Sequence, residues 1–206
     1  MRAGVLTAFS LCLGAGLWCA VVHHAAVAKA VGEPYTGTYG HSRCYHQSDS
    51  MNFEQVKKVL GAFEAEGVEY VVFGAAAINL LGLPRATEDL DVFIAPSAEN
   101  VERLKKALRA VFDDPNIDAI TADDLLGDYP AVQYVPPEGT FYLDILTRLG
   151  EVYRFENVVS MRVDFDGLKV NVATPETLYE MKKATVRPKD WGDAETLRRR
   201  FGLGEK

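Results

Sequence analysis

Cysteine and histidine are missing from most of this chain: all three cysteines (Cys12, Cys19, Cys44) and all four histidines (His23, His24, His41, His46) precede Met51. Residues 51–206 therefore have no Cys/His zinc site, no Cys nucleophile and no Ser/His or Cys/His catalytic arrangement. A metal there must be held by oxygen, which points to magnesium or manganese. Positive charge is also scarce. The 206 residues carry 22 Lys+Arg against 29 Asp+Glu, and only Arg2, Lys29, Arg43, Glu33 and Asp49 fall in the first fifty, so residues 51–206 are net −8 (19 basic, 27 acidic). No broad basic stripe of the kind that carries non-specific nucleic-acid binding is available. Local basic clusters remain at Lys182–Lys189 and Arg198–Arg200. What is present, 48% hydrophobic and 25% charged residues, is the composition of one ordinary globular domain.

The one long apolar run, Ala3 to Val22, follows Arg2, and Ala26-Val-Ala-Lys-Ala30 ends in the small-x-small pattern of a signal-peptidase site. Val31 to Ser50 shows no periodicity. Met51-Asn-Phe-Glu-Gln55 stands immediately before a regular amphipathic pattern, as the start of a bacterial cytosolic reading frame does. The expectation is an unstructured, signal-like or mis-assigned extension over residues 1–50 and a cytoplasmic domain over 51–206. The alternative is export or anchoring through residues 1–30.

Phe53, Val56, Leu60 and Phe63 recur at helical spacing and Gly67 can end that helix. Glu69–Phe73 reads as a strand, Gly74 as a tight turn, and Ala75–Leu81 as a short helix closed by Gly82. Asp89–Ile94 reads as a strand, and Ser97 caps a helix carrying Val101, Leu104, Leu108 and Val111. Thr140–Leu146 reads as a strand entered through the Pro136–Gly139 turn. Met161–Phe165 and Leu168–Val172 flank Asp166-Gly167, a strong hairpin signal. Thr174-Pro175 opens a helix, and a last helix runs from about Trp191 to Phe201. These elements predict one α+β unit, a mixed β-sheet flanked by helices.

Residues two apart on a strand face the same way, so Asp89 and Asp91 present two carboxylates about 6 to 7 Å apart along the backbone. Asp144 sits mid-strand between Leu143 and Ile145, where an unpaired carboxylate is costly to bury. Should its strand lie beside that of Asp89 and Asp91, the three form one oxygen-rich metal site. Gly74 ends a strand and opens a helix, an arrangement whose bare N–H groups can cradle phosphate. Arg85 and Thr87 stand just before the carboxylates and supply a phosphate fork and a hydroxyl. Alone, Asp-x-Asp is a common pattern of exposed strand residues.

Together, Tyr70-Val-Val-Phe-Gly74 through Leu80-Leu-Gly-Leu-Pro-Arg85-Ala-Thr87-Glu-Asp89-Leu-Asp91 resemble the signature of minimal nucleotidyltransferases of the polymerase beta-like superfamily. Thr174-Pro-Glu-Thr-Leu with Lys182-Lys-Ala-Thr-Val-Arg187-Pro-Lys189-Asp190-Trp-Gly-Asp193 is similar to the closing motif of the AbiEii-like, type IV toxin–antitoxin branch. The resemblance spans Met51 to Leu203. It implies a nucleotidyltransferase fold, two magnesium ions, and transfer of a nucleoside monophosphate from a nucleoside triphosphate with release of pyrophosphate. It carries Asp89, Asp91 and Asp144 over as metal ligands; in the absence of histidine Asp144 is also the best candidate general base. Lys182, Arg187 and Lys189 become phosphate contacts, and Asp190 and Asp193 close the site. In one departure, Ala75 stands where the family places a Gly or Ser after Gly74, so a phosphate-binding hydroxyl is absent while the backbone N–H remains.

Plainer readings accompany these. Asp190 reads equally as the cap of the last helix, with Asp193 in its first turn. Lys183 reads as solvated, Arg198–Arg200 as a helix end complementing the dipole, and Trp191 as packing. The functional expectation is an enzyme adding a nucleotide to RNA, protein or a small molecule, with an antitoxin as a candidate partner. The rivals are a catalytically weak nucleotide-binding module, favoured by Ala75, and a calcium-binding exported protein, disfavoured because the carboxylates lie on a strand.

Overall fold

The computed structural model describes residues 51–137 and 141–204; the signal-like segment over residues 1–50, the second half of the Pro136–Gly139 turn and Thr140 lie outside the described residues. Helix α1 (Phe53–Glu66) starts where the Asn52 side chain accepts from the Glu54 and Gln55 N–H groups and stops at Gly67, whose φ of 66° only glycine adopts freely. Strand β1 (Tyr70–Phe73) runs straight into helix α2 (Gly74–Leu80). Strand β2 (Asp89–Ile94) is followed by helix α3 (Ala98–Val111), with Ser97 accepting from the Asn100 N–H. A 3₁₀ turn over Pro115–Ala119 and helix α4 (Ala122–Leu126) lead to strand β3 (Ala131–Tyr134) and strand β4 (Tyr142–Leu146). A ribbon of β5 (Arg148–Leu149) and β6 (Tyr153–Arg154) precedes the hairpin of β7 (Ser160–Phe165) and β8 (Leu168–Ala173). Asp166 and Gly167 turn that hairpin with φ of 48° and 84°, both positive as a tight two-residue turn requires. Helices α5 (Pro175–Lys183) and α6 (Pro188–Phe201) complete the chain.

Six strands form one mixed sheet in the order β3-β4-β2-β1-β8-β7. β2 is antiparallel to β1 and parallel to β4, and β1 is parallel to β8. One face is apolar: Tyr70, Val72, Leu90, Val92, Leu143 and Ile145 are buried, and Tyr70 meets Phe63 of α1 edge-on at 5.4 Å. The opposite face carries Phe73, Asp89, Asp91 and Asp144. β2 therefore alternates a packed face with a chemical one, which lets it hold carboxylates without breaking the core.

The α+β class and the mixed sheet agree with the sequence expectation. Helix α6 begins at Pro188, earlier than Trp191, because proline fits the first helical position and has no N–H to lose. The four-residue β3 and the short helix α4 were not legible in the sequence. Among the described residues no helix is long and apolar enough to cross a membrane.

Candidate active site

The register of four strands builds the centre. Gln133 pairs with Asp144 across β3 and β4, Asp144 with Asp91 across β4 and β2, and Asp91 with Phe73 across β2 and β1. Paired residues face the same way, so this row runs amide, carboxylate, carboxylate, and then the turn into α2. Asp89 joins from two residues before Asp91. The strand of Asp144 thus lies beside that of Asp89 and Asp91, the condition the sequence left open. Gly74 closes the row: its φ is 68°, and a Cβ there would stand 1.9 Å from Asp91 Oδ2. Glycine is required twice, for the backbone and for the carboxylate.

The three carboxylates are in electrostatic tension. Burial, then the charges of Asp144 and Asp89, push the Asp91 carboxyl up to about 7, against the opposing pull of Lys182 and Arg187. Burial also raises Asp144, opposed by a hydrogen bond from Gln133 Nε2 to Asp144 Oδ1 at 2.9 Å, while Asp89 pushes it further up. As the side chains stand, no three acidic groups among the described residues are gathered tightly enough to hold a metal ion. The donor set nonetheless fits a hard divalent cation, since it is all oxygen, on one face, and charged in a way that a cation relieves.

The residues of the closing motif come together beside this row, as an ion-pair network. Lys182 Nζ lies 2.7 Å from Asp190 Oδ1 and 3.2 Å from Asp193 Oδ2, and Arg85 Nε lies 2.7 Å from Asp193 Oδ1. Arg187 Nε and Thr185 Oγ1 both donate to Asp190 Oδ2, at 2.6 and 2.9 Å. Asp190 is fully buried. Burial alone would raise its carboxyl, but Lys182, Arg187 and Thr185 hold it below the ordinary carboxylate range. It is not the helix cap: Arg187 occupies that position and Asp190 lies within the first turn of α6. Lys182 is nearly as enclosed, so three cations and two carboxylates balance to one surplus positive charge next to the acidic row. Asp193 Oδ2 is the buried side-chain atom without a hydrogen bond among the described residues. Lys189 is exposed, outside the network.

Thr87 Oγ1 is occupied locally, accepting from the Asp89 N–H at 3.2 Å. Trp191 differs from the packing expectation, being 55% exposed while its Nε1 donates to the Thr185 carbonyl at 2.8 Å. Two contributors had no sequence signal. Asn79 donates to the carbonyls of Ala75 and Arg85 and accepts from the Arg85 N–H, fixing the loop that carries Arg85 against α2. Gln133 sits on a strand too short to read. Arg198 and Arg199 pair with Glu195 within α6, in keeping with a solvated helix end.

A mixed sheet with Asp-x-Asp on one central strand, a third carboxylate on its parallel neighbour and a glycine turn against them is the arrangement that the resemblance to nucleotidyltransferases implies. The chain belongs to the nucleotidyl transferase AbiEii toxin family of type IV toxin–antitoxin systems, whose profile matches residues 59–203. No curated protein matches it. Among solved structures it is similar to an antigenic nucleotidyltransferase-like protein from Paracoccidioides brasiliensis, at 19% identity and TM-score 0.45 over 69% of this chain and 74% of that one. It is also similar to the lincosamide antibiotic adenylyltransferase LnuA, at 16% identity and TM-score 0.49 over 72% of this chain and 98% of that one. A nucleotidyltransferase from Thermotoga maritima shares 16% identity at TM-score 0.45, over 73% and 92% of the two chains. Likeness at these values carries no functional weight, and the assignment rests on the family.

Proposed function

We propose that this nucleotidyltransferase transfers a nucleoside monophosphate from a nucleoside triphosphate to an acceptor hydroxyl of RNA, a protein or a small molecule, releasing pyrophosphate. The observation that carries the reading is the direct pairing of Asp91 with Asp144 on parallel strands, with Asp89 on the same face and Gly74 cleared of any side chain against Asp91.

Asp89, Asp91 and Asp144 are the residues that would hold magnesium, or manganese. When bound, that cation supplies neutralisation of the triphosphate and of the developing oxyanion charge. Asp144, whose carboxyl is raised, is the group suited to take the proton of the attacking hydroxyl. The new bond joins the acceptor oxygen to the α-phosphorus, and the bond from that phosphorus to pyrophosphate breaks. The Gly74-Ala75 backbone, Arg85, Thr87, Lys182, Arg187 and Lys189 are the groups for the phosphates. Asp190 and Asp193 hold three of those cations in place. A reaction on nucleoside triphosphates suits the cytoplasm, and the family suggests the role of toxin to a partner antitoxin.

A second reading has its own observation. Arg85, Lys182 and Arg187 are already paired with Asp190 and Asp193, and Ala75 offers no hydroxyl. On that reading the chain binds nucleotide and transfers it poorly. Incubation of the protein with labelled triphosphates, Mg2+ and total cell RNA or lysate separates the two. Transfer expected from the native protein and absent from Asp91→Asn supports the first; equal labelling by both would refute the assignment of the carboxylates.

A further inference from the structure

The row that forms the candidate site does not end at the carboxylates. Gln133 lies on β3, the strand at the edge of the sheet, and is itself exposed. A glutamine there can leave its amide in water. Instead Nε2 spans the strand pair to Asp144 Oδ1 at 2.9 Å, a neutral donor to a charged acceptor and so one of the stronger hydrogen-bond types. The amide approaches Asp144 from the β3 side, while Asp91 stands on the β2 side. It therefore engages one oxygen of Asp144 and fixes the rotation of the carboxylate about its terminal bond, which is otherwise broad.

At the other end of the row Asp91 is confined by the Gly74 turn, against which no side chain is tolerated. The two paired carboxylates are thus braced from opposite flanks. Left unbraced, two adjacent carboxylates turn away from each other and toward water. Partners behind a ligating carboxylate set its orientation, and in metal sites their loss weakens binding by about ten- to a hundredfold.

We infer that Gln133 is a positioning residue for the acidic site, restricting Asp144 on the face that it shares with Asp89 and Asp91, so that the three carboxylates can close around a divalent cation. The inference rests on the three-carboxylate reading above and adds a residue from the neighbouring strand.

Mn2+ titrated into the full chain by calorimetry tests it, with Gln133→Met, Gln133→Ala and Asp91→Asn beside the native protein. Methionine keeps the length and removes the amide, and the exposed position on an edge strand leaves the core untouched; metal-free melting of each variant checks that. The expected result is a loss of Mn2+ affinity of about tenfold or more in both Gln133 variants, with metal-free melting lowered by no more than the loss of one exposed hydrogen bond accounts for. A residue that merely supported the strand would lower the melting temperature and leave Mn2+ affinity alone, which overturns the inference. Affinity equal to or tighter than native in Gln133→Met also overturns it, since the amide would then be holding Asp144 away from the ion. A native protein that binds no Mn2+, or an Asp91→Asn variant that binds it equally well, removes the three-carboxylate site and this inference with it. A site that survives in the native protein and not in Asp91→Asn leaves Gln133 to be judged by its own variants.

Discussion

Asp91→Asn in the metal-free protein should stabilise the fold, and pH is the variable that exposes the effect. Unfolded, the carboxyl titrates near its ordinary 3.8; folded, burial and the charges of Asp144 and Asp89 raise it to about 7. Between those values the folded state keeps a proton that the unfolded chain has lost. Stability therefore falls as pH rises through this window, and the loss is complete above about pH 8. Such a shift corresponds to a ceiling of about 4 kcal/mol. Rotation of the side chains and entry of water discount it to about 2 kcal/mol, or roughly 4–8 °C of melting temperature for a chain of this size. Thermal melting in chelator should show the two proteins alike near pH 4 and the asparagine variant more stable at pH 8. Added Mg2+ or Mn2+ should then raise the native melting point at pH 8 and leave the variant unmoved. An asparagine variant that melts at or below the native protein at pH 8 in chelator would refute the account of electrostatic tension.

Gly74→Ala combines a positive φ with a Cβ 1.9 Å from Asp91 Oδ2, so it should cost about 1–3 kcal/mol in backbone strain and also displace the carboxylate; a variant with native melting and native Mn2+ affinity would show the turn to be pliable. Asp190→Asn leaves Lys182 and Arg187 facing a neutral amide in a buried place, and a loss of about 3–5 kcal/mol in denaturant unfolding is expected, whereas a loss under 1 kcal/mol would mean that water already reaches the network. Ala75→Ser should restore a charge-assisted hydrogen bond to phosphate of about 1.5–3 kcal/mol and raise transfer by up to roughly a hundredfold if the bond strengthens in the transition state. Tighter triphosphate binding with no product from any acceptor would favour the weak-binding reading. A chain beginning at Met51 should melt with the full chain, since Met51 is buried and its N–H donates to the Thr87 carbonyl at 3.0 Å; a marked loss of stability would assign a structural part to residues 1–50.

Much was legible in the sequence because local physics writes it there. Helices α1 and α3 followed from apolar spacing, from Gly67 and from the cap Ser97, which need no distant partner; the Asn52 cap of α1 emerged only in the structure. The β7–β8 hairpin followed from Asp166-Gly167, and β2 from the alternation that left Asp89 and Asp91 on one side of a buried strand. The composition of residues 51–206, without cysteine or histidine, limited any metal to oxygen ligands. Strand β3 was hidden because four residues, Ala131-Val-Gln-Tyr134, are too few to show a period, and with it went Gln133.

What only the tertiary structure decided is who stands beside whom. Asp144 is more than fifty residues from Asp91 in the chain, and its place at the site depends on β4 lying parallel to β2 in one register; a slip of one residue would turn it to the opposite face. The closing motif named its basic and acidic residues, but only folding showed that Arg85, Lys182 and Arg187 are matched against Asp190 and Asp193. Spacing along a chain fixes which side of an element a residue occupies, because that depends on the backbone's own repeat. The partner it meets there is set by strand order and packing, which sum over contacts distant in sequence.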